Sequence, residues 1–273
     1  MRDRVLNMNN AIMNKPPICV ASAVAPGLAL EESLGFVATA SDPFWGELSL
    51  EHVQLCPQHS TVLNEVVVDR CSEILPKTQF RLHASVRVSG VGDHRIWDAS
   101  NAHKEDAQPY WRRLAELSRY LGAGVYSMHA GRRHNGPLEQ VFANVRELEQ
   151  RMGLVVALEG LYPDEKAHWH VSHWEDYARL LNEQIPFALD LSHLNIVAHR
   201  TGKIECALVR EMLSSPWCVE IHVSGNSGDE DSHFVINKNP WWIEYLGDFN
   251  PDAVVFTEAK LSKPRFLGGK EKN

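Results

Sequence analysis

The sequence predicts an α/β chain folded as a single-domain (β/α)8 TIM barrel, on three observations. Six short apolar runs, FRLHAS, VYSMHAG, LVVALEG, PFALDLSH, CVEIHVSG and AVVFTEA, have the β-prone composition of buried strands and open into small or polar residues. Each carries a side chain able to bind a metal at its end: His83, His129, Glu159, Asp190, His222 and Glu258. The steps between these residues are 46, 30, 31, 32 and 36 positions, and about 30 residues is one strand, one helix and their loops. Such spacing calls for parallel strands, and a closed parallel barrel gathers all C-terminal strand ends on one rim.

The elements follow in chain order. Residues 1–16 are polar and aperiodic and read as a flexible N-terminal arm, leaving 17–273 as the barrel domain. ICVASAV supplies a first strand and EHVQLC a second, with a short helix at LALEESLG between them. GFVATASDPFWGELS reads as a loop that carries Phe44 and Trp45 over the rim. A helix over Thr61 to Lys77 leads to the third strand. The connection from Arg87 to Gln108 is long for a βα loop and suggests a lid or substrate-binding excursion around Trp97. Trp111, Leu114, Leu117 and Leu121 recur at helical spacing, as do Leu138, Val141, Val145, Leu148 and Met152. Pro137 suits a first helical position, and Ser172 with Glu175 suits a capping box ahead of Trp174, Tyr177 and Leu181. Leu208–Leu213 and Trp241–Leu246 complete the last two crossovers. The eight strands fall near 18–24, 51–56, 80–84, 124–129, 154–159, 187–190, 219–224 and 254–258.

Composition narrows the function. With 273 residues, 44% hydrophobic and 23% charged, the chain has the make-up of an ordinary globular protein, and no stretch resembles a membrane span or a secretory signal. Five scattered cysteines without a CxxC pair give neither a disulfide framework nor a thiolate metal site, so a cytoplasmic location is expected. Net charge of −8 argues against a nucleic-acid partner, whose phosphates demand a basic surface.

Carboxylates inside runs as apolar as LVVALEG and PFALDLS are costly unless a cation meets them. Three more donors lie just beyond the strand ends: His193 three residues after Asp190, and Asp231 with His233 after His222. Five histidines and four carboxylates exceed what one ion uses, so two or three ions are expected. A ligand set of nitrogen and oxygen suits Fe, Zn or Mn. Glu159, Asp190 and His193 are the candidates for contact with the reacting atoms. Arg132, Arg133, Asn195, Asn226 and Lys238 occupy rim loops and are candidates for binding a substrate carboxylate or peptide backbone. His168-Trp169-His170 looks metal-like in isolation but lies in a connection and reads as surface. Cys56, closing the second strand, can face the bowl.

The order His, His, Glu, Asp-x-x-His, His, Asp-x-His, Glu resembles the xylose-isomerase-like TIM-barrel superfamily, in particular its multinuclear branches, from about Phe80 to Lys260. By likeness to endonuclease IV, His83 and His129 share an ion with Glu159. Glu159 then bridges to a second held by Asp190, His222 and Glu258, while His193, Asp231 and His233 hold a third. A closer likeness is to the multinuclear non-haem iron oxidative enzymes that modify precursor peptides, as in methanobactin maturation. It lies in RLHASVRVSG, ALDLSHLNIVAHRTG and EIHVSGNSGDEDSH followed by PWW. That family usually reads IHLAGH and DTH, with Asn where this chain has His193. The resemblance implies iron- and O2-dependent oxidation of a peptide or small thiol or amine substrate, with a possible partner protein that presents a precursor peptide. Two alternatives stand beside it: a zinc phosphodiesterase of the endonuclease IV kind, and a Mn-dependent sugar isomerase or epimerase needing only Glu159, Asp190, His222 and Glu258.

Overall fold

Eight parallel strands close into one barrel in the computed structural model, which describes residues 16–57, 61–92 and 97–261. The strands are β1 Ile18–Ala21, β2 Ser49–Leu55, β3 Gln79–His83, β4 Val125–His129, β5 Val155–Glu159, β6 Phe187–Asp190, β7 Cys218–Val223 and β8 Val254–Thr257. Each pairs with its neighbours in sequence, and β8 closes on β1 through Ile18↔Val255 and Val20↔Thr257. The predicted arm, Pro16 apart, lies outside the described residues, as do 93–96 of the long third connection.

Helices α1 Leu30–Val37, α2 Glu65–Ile74, α3 Gln108–Leu121, α4 Leu138–Met152, α5 Trp174–Asn182, α6 Leu191–Thr201 and α7 Cys206–Ser214 fill the crossovers, and a 3-10 helix spans Trp241–Asp248. The apolar stripes point inward: Trp111, Leu114 and Leu117 of α3 and Val141, Val145, Leu148 and Met152 of α4 are all buried. The α2 start is set by Asn64, whose side chain accepts from the Val67 amide at 3.0 Å.

Several expectations need correction. The segment carrying Phe44 and Trp45 is a hairpin and not an open loop. Ser41–Asp42 pairs with Gly46–Glu47 in a small hairpin that leads into the N-terminal end of β2, and Trp45 stacks on Trp242 at 6.5 Å. No capping box forms at Ser172. Its hydroxyl donates to the Trp169 carbonyl, its amide donates to Asp176, and His173 precedes the helix. The described part of the third connection packs against α4, where Asn144 Nδ2 donates to the Ala99 carbonyl at 2.7 Å, which leaves the expected role of this connection standing. His170 is buried, Nε2 meeting the Gly136 carbonyl at 3.0 Å, because the loop after β5 folds onto the loop after β4. His168 beside it is exposed, as expected.

The α6 helix was not foreseen, and it begins at the site. Asp190 is its N-cap, its carboxylate accepting from the amides of Ser192 and His193 at 2.6 and 3.1 Å. One helical turn therefore returns His193 to the side of Asp190, which gives the Asp-x-x-His spacing its geometric meaning.

Candidate metal centre

His83, His129, Glu159 and Asp190 end β3 to β6, His222 is the penultimate residue of β7, and Glu258 follows β8. Neighbouring strands hold these residues in register, with His129 opposite Glu159 and Asp190 opposite His222. Glu159 is the hub. Its Oε2 lies 3.4 Å from His83 Nε2 and 3.6 Å from His129 Nε2, and its Oε1 lies 3.5 Å from His222 Nδ1. Glu258 Oε1 is 3.8 Å from His222 Nδ1, and its Oε2 is 3.6 Å from His233 Nδ1. His193 Nε2 stands 3.4 Å from Asp190 Oδ2 and 3.5 Å from Asp231 Oδ2.

These separations are too long for hydrogen bonds, which run to about 3.2 Å. Two donors each about 2.1 Å from a shared ion stand roughly 3.0–3.5 Å apart at tetrahedral or octahedral angles; the four separations of 3.4 and 3.5 Å match this, and the three of 3.6–3.8 Å, to His129, His233 and Glu258, are a few tenths wider. Buried atoms with no hydrogen-bond partner among the described residues include Glu159 Oε2, Asp190 Oδ2, His222 Nδ1, Asp231 Oδ1, His233 Nδ1 and Glu258 Oε1. Orphaned buried acceptors on this scale are costly, and cations among them remove the cost.

The second nitrogen of three rings is already committed, which leaves the first for an ion. His83 Nδ1 meets Ser127 Oγ at 3.0 Å, His193 Nδ1 donates to the Gly160 carbonyl at 2.9 Å, and His222 Nε2 faces Glu220 and Gln54 at 3.3 and 3.0 Å. The Gly160 carbonyl comes this close because residue 160 has no side chain: a Cβ there would stand 2.4 Å from the Tyr177 ring.

Three compact donor groups result: His83, Glu159 and His222; Glu159, Asp190 and His193; and Asp190, His222 and Glu258. Donors therefore converge as the sequence predicts, although the subdivision differs from the one the family resemblance implies. His129 stands at the open edge, its side chain 42% exposed. Asp231 and His233 reach the cluster but are closed on each other, with His233 Nε2 2.7 Å from Asp231 Oδ2.

Protonation follows from burial and from these contacts. Burial pushes His83 down to about 3, so it is a neutral ring with a free lone pair. Burial also opposes protonation of His222 and His193, but Glu258 and Glu159 around the first, and Asp190 and Asp231 around the second, raise both well above the ordinary imidazole range. Burial lifts Glu258 up to about 7 against the pull of His222 and His233. Without cations the cluster balances its carboxylates with protons.

Beneath the ligands lies a second polar layer that sequence inspection missed. Side chains two residues apart on a strand share a face, so Arg81, Ser127 and Glu220 point inward below His83, His129 and His222. Glu220 is fully buried and pairs with Arg81 Nη1 at 3.2 Å, while Gln54 Nε2 donates to it at 2.9 Å. The available signal was the glutamate two positions before His222 inside the apolar run CVEIHV. Cys56 is fully buried with its Sγ 3.6 Å from Gln54 Oε1, and burial holds it as a thiol.

The candidate substrate-binding residues divide. Arg132 stacks its guanidinium 5.2 Å from the Trp169 ring, and Arg133 is bound to Asp176 and the Trp169 carbonyl. The Asn195 carboxamide is held between Trp241 Nε1 and Asn226, at 3.0 and 2.8 Å. Lys238 lines a cavity on the loop that leaves β7, together with Asn195 and Asn226. Among the described residues, no helix is long and apolar enough to cross a membrane.

No protein-family profile matches this sequence, and neither does any curated protein. Solved structures do match in fold. A D-tagatose 3-epimerase-like protein aligns with a TM-score of 0.64 at 14% identity, covering 90% of this chain and 92% of the other. A family 2 AP endonuclease from Brucella melitensis gives 0.60 at 13%, covering 92% and 94%. Endonuclease IV from Thermus thermophilus gives 0.53 at 15%, covering 89% and 91%. At such identities the likeness establishes a shared fold, and that fold is the TIM barrel found in xylose-isomerase-like proteins.

Proposed function

We propose that this chain is a multinuclear metalloenzyme that uses iron and O2 to oxidise a peptide or a small thiol- or amine-bearing substrate. The observation that carries the multinuclear reading is the run of 3.4–3.8 Å donor separations around Glu159 and Glu258, with orphaned buried atoms among them. A mononuclear isomerase needs only Glu159, Asp190, His222 and Glu258, and leaves His83, His129, His193, Asp231 and His233 without a role. Bound iron would supply redox chemistry at a nitrogen and oxygen site with no thiolate. Glu159 would bridge ions, Asp190 would orient His193 by capping α6, and exposed His129 marks the side from which substrate arrives. A partner protein presenting a precursor peptide fits this reading, and the oxidative assignment rests on the motif likeness in EIHVSGNSGDEDSH.

A second reading, zinc-dependent phosphodiester hydrolysis, is favoured by the likeness to the two endonucleases. Against it, a phosphate-gripping surface needs free basic side chains, and of the two rim arginines Arg133 is already bound to Asp176, which leaves Arg132, stacked on Trp169, as the available one. Metal analysis with Mössbauer spectroscopy of anaerobically purified protein separates the readings. Two or three irons per chain support oxidation; zinc together with cleavage of an abasic-site duplex would overturn it in favour of hydrolysis.

A further inference from the structure

The loop that leaves β7 borders an open cavity of about 390 Å³ whose lining residues are chain neighbours of the metal-ligand candidates His222 and His233. Ser224 comes two residues after His222, and Phe234 comes directly after His233. Gly225 and Phe234 exchange two backbone hydrogen bonds of 2.7 Å, so the segment carrying Asp231 is a closed loop with this cavity at its base. A Cβ on residue 225 would sit 3.0 Å from the Phe234 carbonyl, which keeps that neck tight.

Two of the lining carboxamides are spent on the frame. Asn195 binds Trp241 and Asn226, while Asn226 donates to the Ser192 carbonyl at 2.8 Å and accepts from the Gly228 amide. Beside Asn237 and Asn239, which also line the cavity, three groups can meet a ligand. Ser224 is 3% exposed, and its hydroxyl has no partner among the described residues. Lys238 is exposed and forms no ion pair among the described residues. Phe234 is 57% exposed, although its neighbour is a metal-ligand candidate. No aspartate or glutamate lines this cavity, in a chain where acids outnumber bases 35 to 27. An ammonium, an unpaired buried hydroxyl and an open aromatic face, with no competing acid, suit a carboxylate attached to an apolar group.

We propose that this cavity binds a carboxylate of the substrate, paired with Lys238 and hydrogen-bonded by Ser224, with the adjoining apolar part against Phe234 and the reacting end at the metal ligands. The inference deepens the enzyme reading above and rests on it for the role of the bound molecule. Carboxylate capture itself needs no metal. The carboxylate can come from a peptide C-terminus or from an acidic side chain, and the probes distinguish these sources.

The full chain, metal-loaded and after chelation, is titrated calorimetrically with acetyl-Gly-Gly-Phe acid, acetyl-Gly-Gly-Phe amide and acetyl-Gly-Glu-Phe amide. Preference for the free acid identifies a C-terminal carboxylate, and preference for the glutamyl amide identifies a side chain. Either carboxylate probe should bind at least tenfold more tightly than the uncharged amide. Lys238→Gln should remove that advantage, and Ser224→Ala should weaken binding about fivefold. Metal content should not change in either variant. Equal affinity for charged and uncharged probes, no binding by any probe, or undiminished selectivity in Lys238→Gln overturns the proposal. Carboxylate binding in a protein that proves to hold no multinuclear centre would leave the cavity assigned and sink the enzyme reading instead.

Discussion

Glu220 Oε2 lies 3.3 Å from His222 Nε2, while the opposite nitrogen of the same ring faces Glu159 and Glu258. A carboxylate behind an imidazole fixes the tautomer and raises the basicity of the far nitrogen, and Arg81 in turn compensates the buried carboxylate. Glu220→Gln keeps the volume and removes the charge. Ion affinity, measured by competition with a chelator, should fall about 10- to 100-fold; an unchanged affinity would show that Glu220 serves only Arg81.

Glu159 stands within ion-sharing distance of His83, His129 and His222, and Asp190 both caps α6 and faces His193. Glu159→Ala and Asp190→Ala should each remove at least one ion per chain in elemental analysis, whereas His168→Ala should remove none. Full stoichiometry in the first two variants would contradict the site.

Gly160→Ala places a methyl group 2.4 Å from the buried Tyr177 ring and pushes the carbonyl that holds His193. Overpacking of this kind costs roughly 1–3 kcal/mol. Denaturant unfolding of the metal-free protein should show that loss, and the loaded protein should bind ions less tightly. Wild-type stability in the variant would mean that Tyr177 moves aside freely.

Burial opposes protonation of His233, yet Asp231 and Glu258 raise its pKa to about 9. In the ion-free protein the protonated ring favours the fold. That contribution is complete below the ordinary value near 6.5 and disappears as pH rises through about 9. Ion binding works in the opposite direction because it needs the neutral ring. Loading at Asp231 and His233 should therefore tighten by up to about tenfold per pH unit between 6.5 and 9, with proton release detectable by calorimetry in buffers of different ionisation enthalpy. A flat profile would exclude His233 as a ligand.

Chelation should lower the melting temperature, because the cluster buries polar atoms that have no hydrogen-bond partner among the described residues and that bound cations would meet. Free ion at a hundred times its dissociation constant adds about 2.7 kcal/mol per site. An identical melting temperature with and without chelator would argue against bound ions.

Much of this was legible in the chain. Strand and helix periods gave the barrel, and donors recurring at one crossover length predicted their convergence, because every parallel strand in a closed barrel ends on the same rim. The α6 helix was missed because DLSH was read only as a ligand spacing, although an aspartate before LSHLNIV is also an N-cap signal. The hairpin at Phe44 and the burial of His170 were misread because each depends on a loop packing against a distant element.

By itself the sequence determined the fold class and that donor-bearing strand ends share one rim, since both depend on local periodicity and on the length of one repeating unit. Only the tertiary structure decided which nitrogen is free in the rings of His83, His193 and His222, that Glu220 and Arg81 support the centre from below, and that Arg133 is already bound to Asp176. Those outcomes depend on contacts between strands and loops far apart in the chain, at distances of a few ångströms that no sequence spacing encodes.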